Sequence, residues 1–493
     1  MPDIRKFQYF VNNNWYDPMD GGYLESENPA NGKVWAKIPN CAESDINNAV
    51  SAAKAAFYNG PWGRMHPSER GRMLRRIGDV ISKHADRLGA IETQDNGKLP
   101  KMITPGLEPD QWQVDSWHYY AGMCDKFEGS LIPAEAPNIH NYLKWEPFGV
   151  VAQILPWNSP LGTLIWKLAP CLAAGNTVVI KPSEHSSCST LELMDVLLEA
   201  DLPEGVLNVI TGYGRTTGEP LINHPDVRMV SFTGGTDGGR TVAGLAANQV
   251  KPVIMELGGK SPQIVFPDAD IDLAVNGIAG GIFPAGGQSC ISGSRLLIHR
   301  SVIKEFTEKL VKIVSKACVG PPNDPNTQIG PMANEPHYQR VLKLITAAVN
   351  AGHNIVLDGR SECREEGYYI GPTVFSNVPN NSKLAQTEIF GPVVSTEAWD
   401  DADDIIHKAN DTIYGLAAGI WTKDVCKAMR AADNIEAGTV YINNYFNAAT
   451  QSPVGGFKQS GYGRENGWEG MRCYMQTKSV WLSTDPVQPD PFE

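Results

Sequence analysis

The sequence predicts an α/β fold with parallel sheets, because short apolar strands alternate with amphipathic helices along most of the chain. Between residues 149 and 266, apolar stretches at 150–155 and 177–180 predict strands, and the segment 161–172 between them predicts a helix. A second alternating stretch runs from 295 to 442. Such alternation is typical of parallel strands joined by helical crossovers. With 493 residues the chain also exceeds one ordinary core, so we expect at least two domains.

The other elements follow from the same patterns. Apolar residues at three- and four-residue intervals predict helices at 45–57 and 68–94. The remaining predicted elements are strands at 206–210, 229–232, 253–256, 295–299, 393–398, 418–421 and 439–442 and a helix at 188–199. A Gly-rich segment at 280–294 separates the two alternating stretches, and ligand sites commonly form between domains. Open parallel sheets bind ligands at the carboxyl ends of their strands, so the loops that follow the strands are the candidate binding segments.

Composition and charge exclude several classes of function. Hydrophobic residues make up 42% and charged residues 20% of the chain, which is typical of a globular protein rather than a disordered one. The formal net charge of −13 would repel a phosphate backbone, so we expect no binding to nucleic acid. No apolar run approaches the length of a membrane span, and residues 1–10 lack the apolar stretch of a signal peptide. We therefore expect a soluble, cytoplasmic protein without a membrane partner.

The nine cysteines are expected to be reduced thiols, and one of them is a candidate nucleophile. None forms a CxxC pair or has metal-ligand spacing with histidine, so we predict neither a disulfide framework nor a metal site. A cysteine is by default a small buried hydrophobic residue. Cys290 differs because glycines surround it at 286–293, and glycine lets backbone N–H groups approach a ligand closely. A thiolate nucleophile needs such donors for the oxyanion that its attack creates.

Two polar residues at the ends of predicted strands are candidates for the same chemistry. Asn158 follows the strand at 150–155 and lies between Pro156 and Pro160, where it is either a turn residue or a donor to a developing oxyanion. Glu256 ends the strand at 253–256 beside a flexible turn, where it is either a surface ion-pair partner or a general base.

Other loops have the features of a cofactor site. The Gly-rich segment 231–239 follows a strand and opens a helix, a geometry that lets backbone N–H groups face a phosphate, although its spacing is not GxGxxG. The segment 181–184 follows the strand at 177–180, where a ribose could be held. The segment 388–392 lies in a loop and could be purely structural.

Taken in order, these segments resemble the aldehyde dehydrogenase superfamily. The resemblance covers about residues 8–482. It rests on the segments LPWNSPL (155–161), KPSE (181–184), ELGGKSP (256–262), GQSCISGSR (287–295), EIFGPV (388–393) and PVGGFKQSGYGRENG (453–467).

The resemblance implies a set of catalytic residues. Cys290 would be the nucleophile and Glu256 the general base. Asn158 and the backbone N–H of Cys290 would form the oxyanion hole. Glu465 matches a second glutamate that assists proton movement in some members. The reaction implied is the NAD-dependent oxidation of an aldehyde to its acid through a cysteine thioester.

The resemblance also implies the cofactor site. Its residues would be Leu155, Pro156, Trp157, Lys181, Ser183, Glu184, Gly234, Gly235, Gly239, Leu257, Glu388 and Phe390. NADP is disfavoured because the Glu184 carboxylate would face the ribose 2′ position. Members of the superfamily often have serine at the position of Gly235, so we expect weaker cofactor binding here.

The domain organisation implied by the resemblance has three parts. A Rossmann-like NAD-binding domain would comprise 1–127 and 148–258, and a catalytic domain 259–458. A β-hairpin arm at 128–147 and the tail at 459–493 would build a homodimer or homotetramer.

The resemblance finally implies a substrate tunnel that is wide. Its walls would be Trp112, Ser159, Gly162, Thr163, Trp166, Ile291, Phe446, Ala448 and Val454. Because several of these residues are small, we expect a bulky or cyclic aldehyde. Because none of them is arginine, we expect no clamp for a substrate carboxylate.

Two alternative functions are a CoA-acylating semialdehyde dehydrogenase and a non-catalytic NAD-binding structural protein on the same fold. Glu256 argues against the first, and the complete set of Asn158, Glu256 and Cys290 argues against the second.

Overall fold

The computed structural model describes residues 4–100, 111–486, 488 and 490–492. Within them, the strands are β1 (Arg5–Lys6), β2 (Tyr9–Val11), β3 (Asn14–Tyr16), β4 (Tyr23–Asn28), β5 (Lys33–Pro39), β6 (Ser130–Ile132), β7 (Ile139–Pro147), β8 (Val150–Ile154), β9 (Thr177–Lys181), β10 (Leu207–Val209), β11 (Met229–Thr233), β12 (Val253–Glu256), β13 (Pro262–Val265), β14 (Arg295–His299), β15 (Asn354–Leu357), β16 (Thr373–Ser376), β17 (Val393–Trp399), β18 (Tyr414–Gly415), β19 (Ala417–Trp421), β20 (Thr439–Ile442), β21 (Phe457–Lys458), β22 (Gly461–Tyr462) and β23 (Met475–Ser483). The helices are α1 (Glu43–Tyr58), α2 (Pro67–Lys83), α3 (Ala85–Asn96), α4 (Gln111–Met123), α5 (Pro160–Ala173), α6 (Cys188–Leu197), α7 (Glu219–Asn223), α8 (Thr236–Asn248), α9 (Ile271–Gly280), α10 (Ile303–Val314), α11 (Glu335–Asn350), α12 (Lys383–Gln386), α13 (Ala402–Asn410), α14 (Val425–Asn434) and α15 (Gly467–Arg472).

The first large sheet has eight strands in the order β22-β12-β11-β8-β9-β10-β2-β3. The strands from β8 to β12 are parallel, whereas β22 and β2 are antiparallel to their neighbours. The central strands β8 and β9 are buried along their whole length, which explains their continuous apolar sequences. The chain proceeds from β8 outward to β10 and then returns to the other side of β8 with β11. Ligands of open α/β sheets bind where the strand order reverses in this way.

The second large sheet has seven strands in the order β15-β16-β17-β14-β13-β19-β20 and is parallel apart from β15. Only residues 257–261 separate the end of β12 from the start of β13. The carboxyl edge of the first sheet therefore leads directly into the amino edge of the second. The Gly-rich loop that contains Cys290 enters the same edge of the second sheet through β14.

The helix predicted at 68–94 is two helices, α2 and α3, so the prediction of one continuous helix was wrong. His84 separates them with a non-helical ψ of 16°. Its Nε2 lies 2.8 Å from Oε1 of Glu199, and Lys83 donates to the other oxygen of that carboxylate at 2.7 Å. A contact with a residue distant in sequence therefore sets this break, and no proline or glycine marks it. The other predicted helices and strands differ by at most two residues at their ends.

A small antiparallel sheet of three strands has the order β23-β7-β6. The strands β7 and β23 pair over nine consecutive positions, from Met475 opposite Pro147 to Ser483 opposite Ile139. The segments predicted as an arm and a tail are thus joined in one sheet. Leu131, at 73% exposure, and Trp481, at 67%, leave apolar surface of this sheet uncovered within one chain.

Two absences concern the described part of the chain only. None of its helices combines the length and apolar character that crossing a membrane requires. Its His, Cys, Asp and Glu side chains form no group of three or more that could hold a metal ion.

Candidate active site

Cys290 lies in the loop between α9 and β14, and contacts on both sides of it hold this loop in place. Gly287 has a φ of +68°, and a Cβ there would lie 1.8 Å from the carbonyl oxygen of Gly391, so only glycine fits. On the other side of Cys290, the Tyr445 hydroxyl donates to the carbonyl oxygen of Ile291 at 2.6 Å. The nucleophile candidate is therefore on a rigid loop.

Asn158 is bound to the same loop. Its Nδ2 donates to the carbonyl oxygen of Gln288 at 2.9 Å. The side chain of Gln288 in turn accepts from the N–H of Ala333 at 2.8 Å and donates to Pro331 at 3.2 Å. A primary amide has two N–H donors, so this bond leaves one of the Asn158 donors for a ligand. Asn158 and Cys290 line one cavity.

Glu256 ends β12, and its surroundings are suited to proton transfer. The residue is 7% exposed, and its Oε1 has no hydrogen-bond partner within the described residues. Burial raises the pKa of the carboxyl well above its ordinary value, and the charge of Glu465 raises it further, while Lys167 acts in the opposite direction. Once deprotonated, a carboxylate with an unoccupied oxygen and a raised pKa is a stronger base than an ordinary glutamate, and it can accept a proton from a thiol or from water.

Glu465 belongs to a buried polar network behind Glu256. Its carboxylate is paired with the ammonium of Lys167, which is fully buried on α5. The same ammonium donates to Oγ of Ser231 at 3.1 Å, and the Tyr474 hydroxyl donates to that oxygen at 2.9 Å. Sequence reasoning identified Glu465 but missed Lys167. A lysine in the otherwise apolar helix PLGTLIWKLAPCLA was the available signal.

The surroundings of Cys290 favour its neutral thiol over the thiolate. Burial raises the pKa of Cys290 to about 12, and the charges of Glu256 and Glu388 raise it as well. The backbone N–H groups of Ile291 and Cys290 lower the pKa, but by less than burial raises it. Formation of the thiolate therefore needs a base such as Glu256, a positive charge brought by a ligand, or both.

Glu388 lies between the two sheets, close to the segment that follows Glu256. Its Oε1 accepts from the N–H of Gly259 at 2.9 Å. A Cβ at Gly258 would lie 2.2 Å from Oε2 of Glu388, so the absence of a side chain makes room for this carboxylate. Burial raises the pKa of Glu388 to about 7.

Helix α11 holds the loop that carries Glu388 and Phe390. Nε2 of His337 donates to the carbonyl oxygen of Phe390 at 2.7 Å, and Arg340 donates to the carbonyls of Ile389 and Glu388, both at 2.7 Å. Phe390 has a φ of +61°, an uncommon conformation for a bulky residue that these bonds stabilise. The His337 and Phe390 rings both pack on Trp157, with centroids 4.7 and 5.3 Å from it. Sequence reasoning missed His337 and Arg340, since neither belongs to a recognised motif.

The predicted phosphate-binding glycines lie at the start of α8. Gly234 follows β11, and Gly235 directly precedes the first turn of this 13-residue helix. A Cβ built on Gly235 meets no heavy atom within 4 Å. A Cβ on Gly239 would lie 2.4 Å from the Leu257 side chain, which lets the helix pack closely there. Open space at a helix N-terminus is suited to an anionic phosphate.

The predicted ribose-binding residues follow the neighbouring strand β9. Nζ of Lys181 lies 3.7 Å from Oε2 of Glu184, and the backbone N–H of Leu155 donates to the Lys181 carbonyl at 3.0 Å. Oγ of Ser183 accepts from the N–H of His185 at 3.3 Å, within the turn. With Pro156 and Trp157 after β8, these groups share the carboxyl edge of adjacent parallel strands. A carboxylate and an ammonium here, beside the open start of α8, fit the hydroxyls and phosphates of a dinucleotide.

Comparison with known proteins agrees with this geometry. The aldehyde dehydrogenase family model matches residues 15–480. An aldehyde dehydrogenase of Enchytraeus buchholzi is 40% identical over 477 residues, which are 96% of this chain and 95% of that protein. The chain belongs to the aldehyde dehydrogenase family.

Two further relatives cover nearly the whole chain. The NAD⁺ complex of an aldehyde dehydrogenase from Bacillus cereus superposes with a TM-score of 0.94 at 37% identity, over 98% of this chain and 97% of that one. A (Z)-2-((N-methylformamido)methylene)-5-hydroxybutyrolactone dehydrogenase of Acinetobacter baylyi is 39% identical over 492 residues, 99% of each chain. The α/β fold that the sequence predicts is thus confirmed as that of an aldehyde dehydrogenase.

The cavity of this aldehyde dehydrogenase has a volume of about 270 Å³ and contains Cys290 and Asn158. Eight of the nine predicted tunnel residues line it: Ser159, Gly162, Thr163, Trp166, Ile291, Phe446, Ala448 and Val454. The ninth, Trp112, is the second residue of α4, and its side chain lies outside the described part of the structure.

The cavity wall also includes residues that sequence reasoning missed. Lys98, Tyr441 and Asn466 line it together with the predicted set. Lys98 is distant in sequence from the tunnel motifs, and the turn after α3 brings it to the wall. We expected no clamp for a substrate carboxylate, because none of the predicted tunnel positions is an arginine. Lys98 is the one described lining residue that is a lysine or arginine, and none is an aspartate or glutamate.

Proposed function

We propose that this aldehyde dehydrogenase oxidises an aldehyde to the carboxylic acid with NAD, through a thioester on Cys290. The observation that carries the proposal is the meeting of three groups at the cleft between the sheets. The Asn158 amide is bonded to the loop of Cys290, and the charge of Glu256 acts on the Cys290 thiol. The glycines before α8 and the pair of Lys181 and Glu184 support NAD as the cofactor, as in the B. cereus complex.

The first half of the reaction forms a bond between sulfur and carbon. Glu256 accepts the thiol proton, and Sγ of Cys290 attacks the carbonyl carbon, so that the carbonyl becomes an oxyanion. The free amide donor of Asn158 and the N–H of Cys290 stabilise that oxygen. One such donor contributes roughly 3–4 kcal/mol at the barrier. When bound, NAD supplies the acceptor for the hydride that leaves this carbon, and its positive charge favours the thiolate.

The second half releases the acid. Glu256 takes a proton from water, the hydroxide attacks the thioester carbon, and the C–S bond breaks to return the Cys290 thiolate. The unpartnered Oε1 of Glu256 is the acceptor for this proton. The pair of Lys167 and Glu465 lies behind it and provides a route by which the proton can leave.

The nucleophile is tested with Cys290→Ala. The variant should form no NADH from any aldehyde while its Kd for NAD remains close to that of the wild type. Cys426→Ala, at an exposed thiol, is the matched control and should keep full activity. NADH formation by purified Cys290→Ala would refute the assignment. No NADH from the wild type with a broad aldehyde panel would favour a non-catalytic protein.

The base is tested with Glu256→Gln. Acylation should still give one NADH per Cys290, although more slowly than in the wild type because Glu256 no longer accepts the thiol proton. The steady state that follows should be at least about 100-fold slower than that of the wild type, the effect of removing a general base. A full steady-state rate would assign the base to another group such as Glu465. A wild-type steady state that depends on added CoA would favour the CoA-acylating alternative.

We further propose that the substrate is bulky or cyclic. Ser159, Gly162 and Ala448 leave the cavity wide, and Trp166 provides a flat wall for a ring. The A. baylyi relative is named for a substituted hydroxybutyrolactone, which contains a ring. Ser159→Phe should lower kcat/KM for a ring-bearing aldehyde far more than for acetaldehyde. A wild-type preference for acetaldehyde would contradict the proposal.

We also propose that the chain assembles as a homodimer or homotetramer. The exposed Leu131, Tyr142 and Leu482 lie on one face of the sheet β23-β7-β6 and support this, because isolated chains rarely expose large apolar side chains together. Light scattering of the wild type and of Leu131→Lys would test it, and a monomeric wild type would contradict it.

A further inference from the structure

One corner of the aldehyde cavity is polar and positively charged. Nζ of Lys98 donates to Oγ of Ser159 at 3.3 Å and to Oε1 of Glu92 at 3.4 Å. Both Lys98 and Ser159 line the cavity that contains Cys290, whereas Glu92 does not. Lys98 is held there by the end of α3, where Gly97 adopts a φ of +78° and turns the chain.

The hydrogen bonds in this corner leave donors for a ligand. An ammonium has three N–H groups, and the two bonds named above use two of them. The Ser159 oxygen accepts from Lys98, so its own O–H is free to donate to a third group. The side chain of Glu92 is 4% exposed, which places the compensating carboxylate behind the wall rather than on it. A ligand therefore meets two donors here, one of them an ammonium whose charge Glu92 partly compensates from behind the wall.

We propose that Lys98 and Ser159 form a subsite that binds a carboxylate carried by the aldehyde substrate. The inference rests on the proposed aldehyde oxidation and specifies its substrate class, an oxo acid. One carboxylate oxygen accepts from the ammonium and the other from the Ser159 hydroxyl. The described cavity wall contains no aspartate or glutamate that would repel this anion. A quaternary ammonium aldehyde, by contrast, would meet the charge of Lys98 without a compensating carboxylate on the wall.

The test compares ω-oxo carboxylic acids of increasing chain length with the plain aldehyde of each length, followed as NADH formation. At the length that best spans the cavity, kcat/KM for the oxo acid should exceed that for the plain aldehyde by about tenfold or more, the usual effect of a charge-assisted hydrogen bond. Lys98→Met should reduce this ratio of kcat/KM values to about one, and Lys98→Arg should keep part of the preference for the oxo acid. Added salt should lower the ratio in the wild type, because it screens the charge.

Two control variants separate the subsite from general effects. Lys304→Met removes an exposed lysine outside the cavity and should leave the ratio unchanged. Ser315→Ala removes an exposed hydroxyl outside the cavity and should keep the ratio that Ser159→Ala lowers. A ratio that Lys98→Met leaves intact would overturn the proposal and limit Lys98 to pairing with Glu92.

A binding measurement distinguishes failure of the subsite from failure of the proposed function. In Cys290→Ala, which cannot form the covalent bond, the oxo acid should raise the melting temperature more than the plain aldehyde does, and Lys98→Met should remove the difference. If plain aldehydes give NADH but oxo acids are not preferred, and the melting temperatures do not differ, the subsite alone is refuted. The absence of NADH from every aldehyde refutes the proposed function, and the melting temperatures then decide the subsite independently.

Discussion

Replacing Gly235 by serine should strengthen NAD binding. Gly235 precedes α8 with φ −67° and ψ 152°, an extended conformation that serine adopts without strain before a helix. A Cβ at this position has no heavy atom within 4 Å, so the new side chain fits without movement of its neighbours. The added hydroxyl reaches the space in which the helix N-terminus would face the pyrophosphate.

The size of the effect follows from the exposure of the site. A hydrogen bond to a charged group contributes about 1.5–3 kcal/mol, and water competes for it at an exposed position. Gly235 is exposed, so we expect the lower end of this range. About 1.4 kcal/mol corresponds to a tenfold lower Kd. The change of N-cap from glycine to serine alone alters stability by only a few tenths of a kcal/mol.

The assay is a fluorescence titration with NADH, together with KM for NAD at saturating aldehyde. Gly244→Ser is the matched control, because Gly244 is also exposed, also lies in open space and belongs to the same helix. Its Kd for NADH should equal that of the wild type. If Gly235→Ser changes Kd no more than Gly244→Ser does, the glycines before α8 do not contact the pyrophosphate in the proposed way.

Three further predictions concern pH, cofactor choice and the buried network. The pKa of Cys290 is raised to about 12, and that of Glu256 is raised as well. Deprotonation of both groups therefore increases above neutral pH, and kcat/KM should rise from neutral to alkaline pH. NAD should be preferred over NADP by at least about tenfold in kcat/KM. A carboxylate some 4 Å from the added phosphate costs up to about 4 kcal/mol at an effective dielectric constant of about 20, and Glu184→Gln should narrow the preference. Lys167→Met leaves Glu465 buried without its partner and should cost about 3–5 kcal/mol of stability, measurable by denaturant unfolding.

Local sequence was sufficient to predict most of the fold. The strands of both sheets are short apolar runs between turn residues, and their type and order can be inferred because buried parallel strands require such runs. The break at His84 could not be predicted, because it depends on the carboxylate of Glu199. The pairing of β22 with β12 could not be predicted either, because the two residues of β22 come from the C-terminal region and join a sheet formed mostly by the first half of the chain.

The residues of the candidate site also fall into those that the sequence could predict and those that it could not. Residues that follow strands within motifs, such as Asn158 and Glu256, could be found because their position at a strand end is visible in the sequence. Tyr445, His337 and Lys98 could not, because each acts on a segment far away in the chain through one side-chain contact. The domain boundaries remain a prediction, as do the roles of the individual site residues.

Asn466 allows a last prediction, because its conformation and its surroundings are both unfavourable. Its φ of +60° is combined with a ψ of 170°, a region that suits glycine. Its Oδ1 and Nδ2 are buried and have no hydrogen-bond partner within the described residues, although Asn466 lines the aldehyde cavity. An unpaired buried amide costs about 1–3 kcal/mol, and a strained φ, ψ pair a similar amount. Asn466→Gly removes both costs and loses about 0.5–1 kcal/mol to chain entropy. We therefore expect the free energy of unfolding, measured with denaturant, to rise by about 1 kcal/mol or more.

Asn447→Gly is the control for Asn466→Gly. The Asn447 amide is already bonded to Oδ1 of Asn444 at 3.0 Å, so its replacement should bring no such gain. If Asn466→Gly is instead as destabilising as the control, an ordered water pairs with the amide. A gain in stability accompanied by a lower kcat/KM would show that the amide is retained because it binds the substrate.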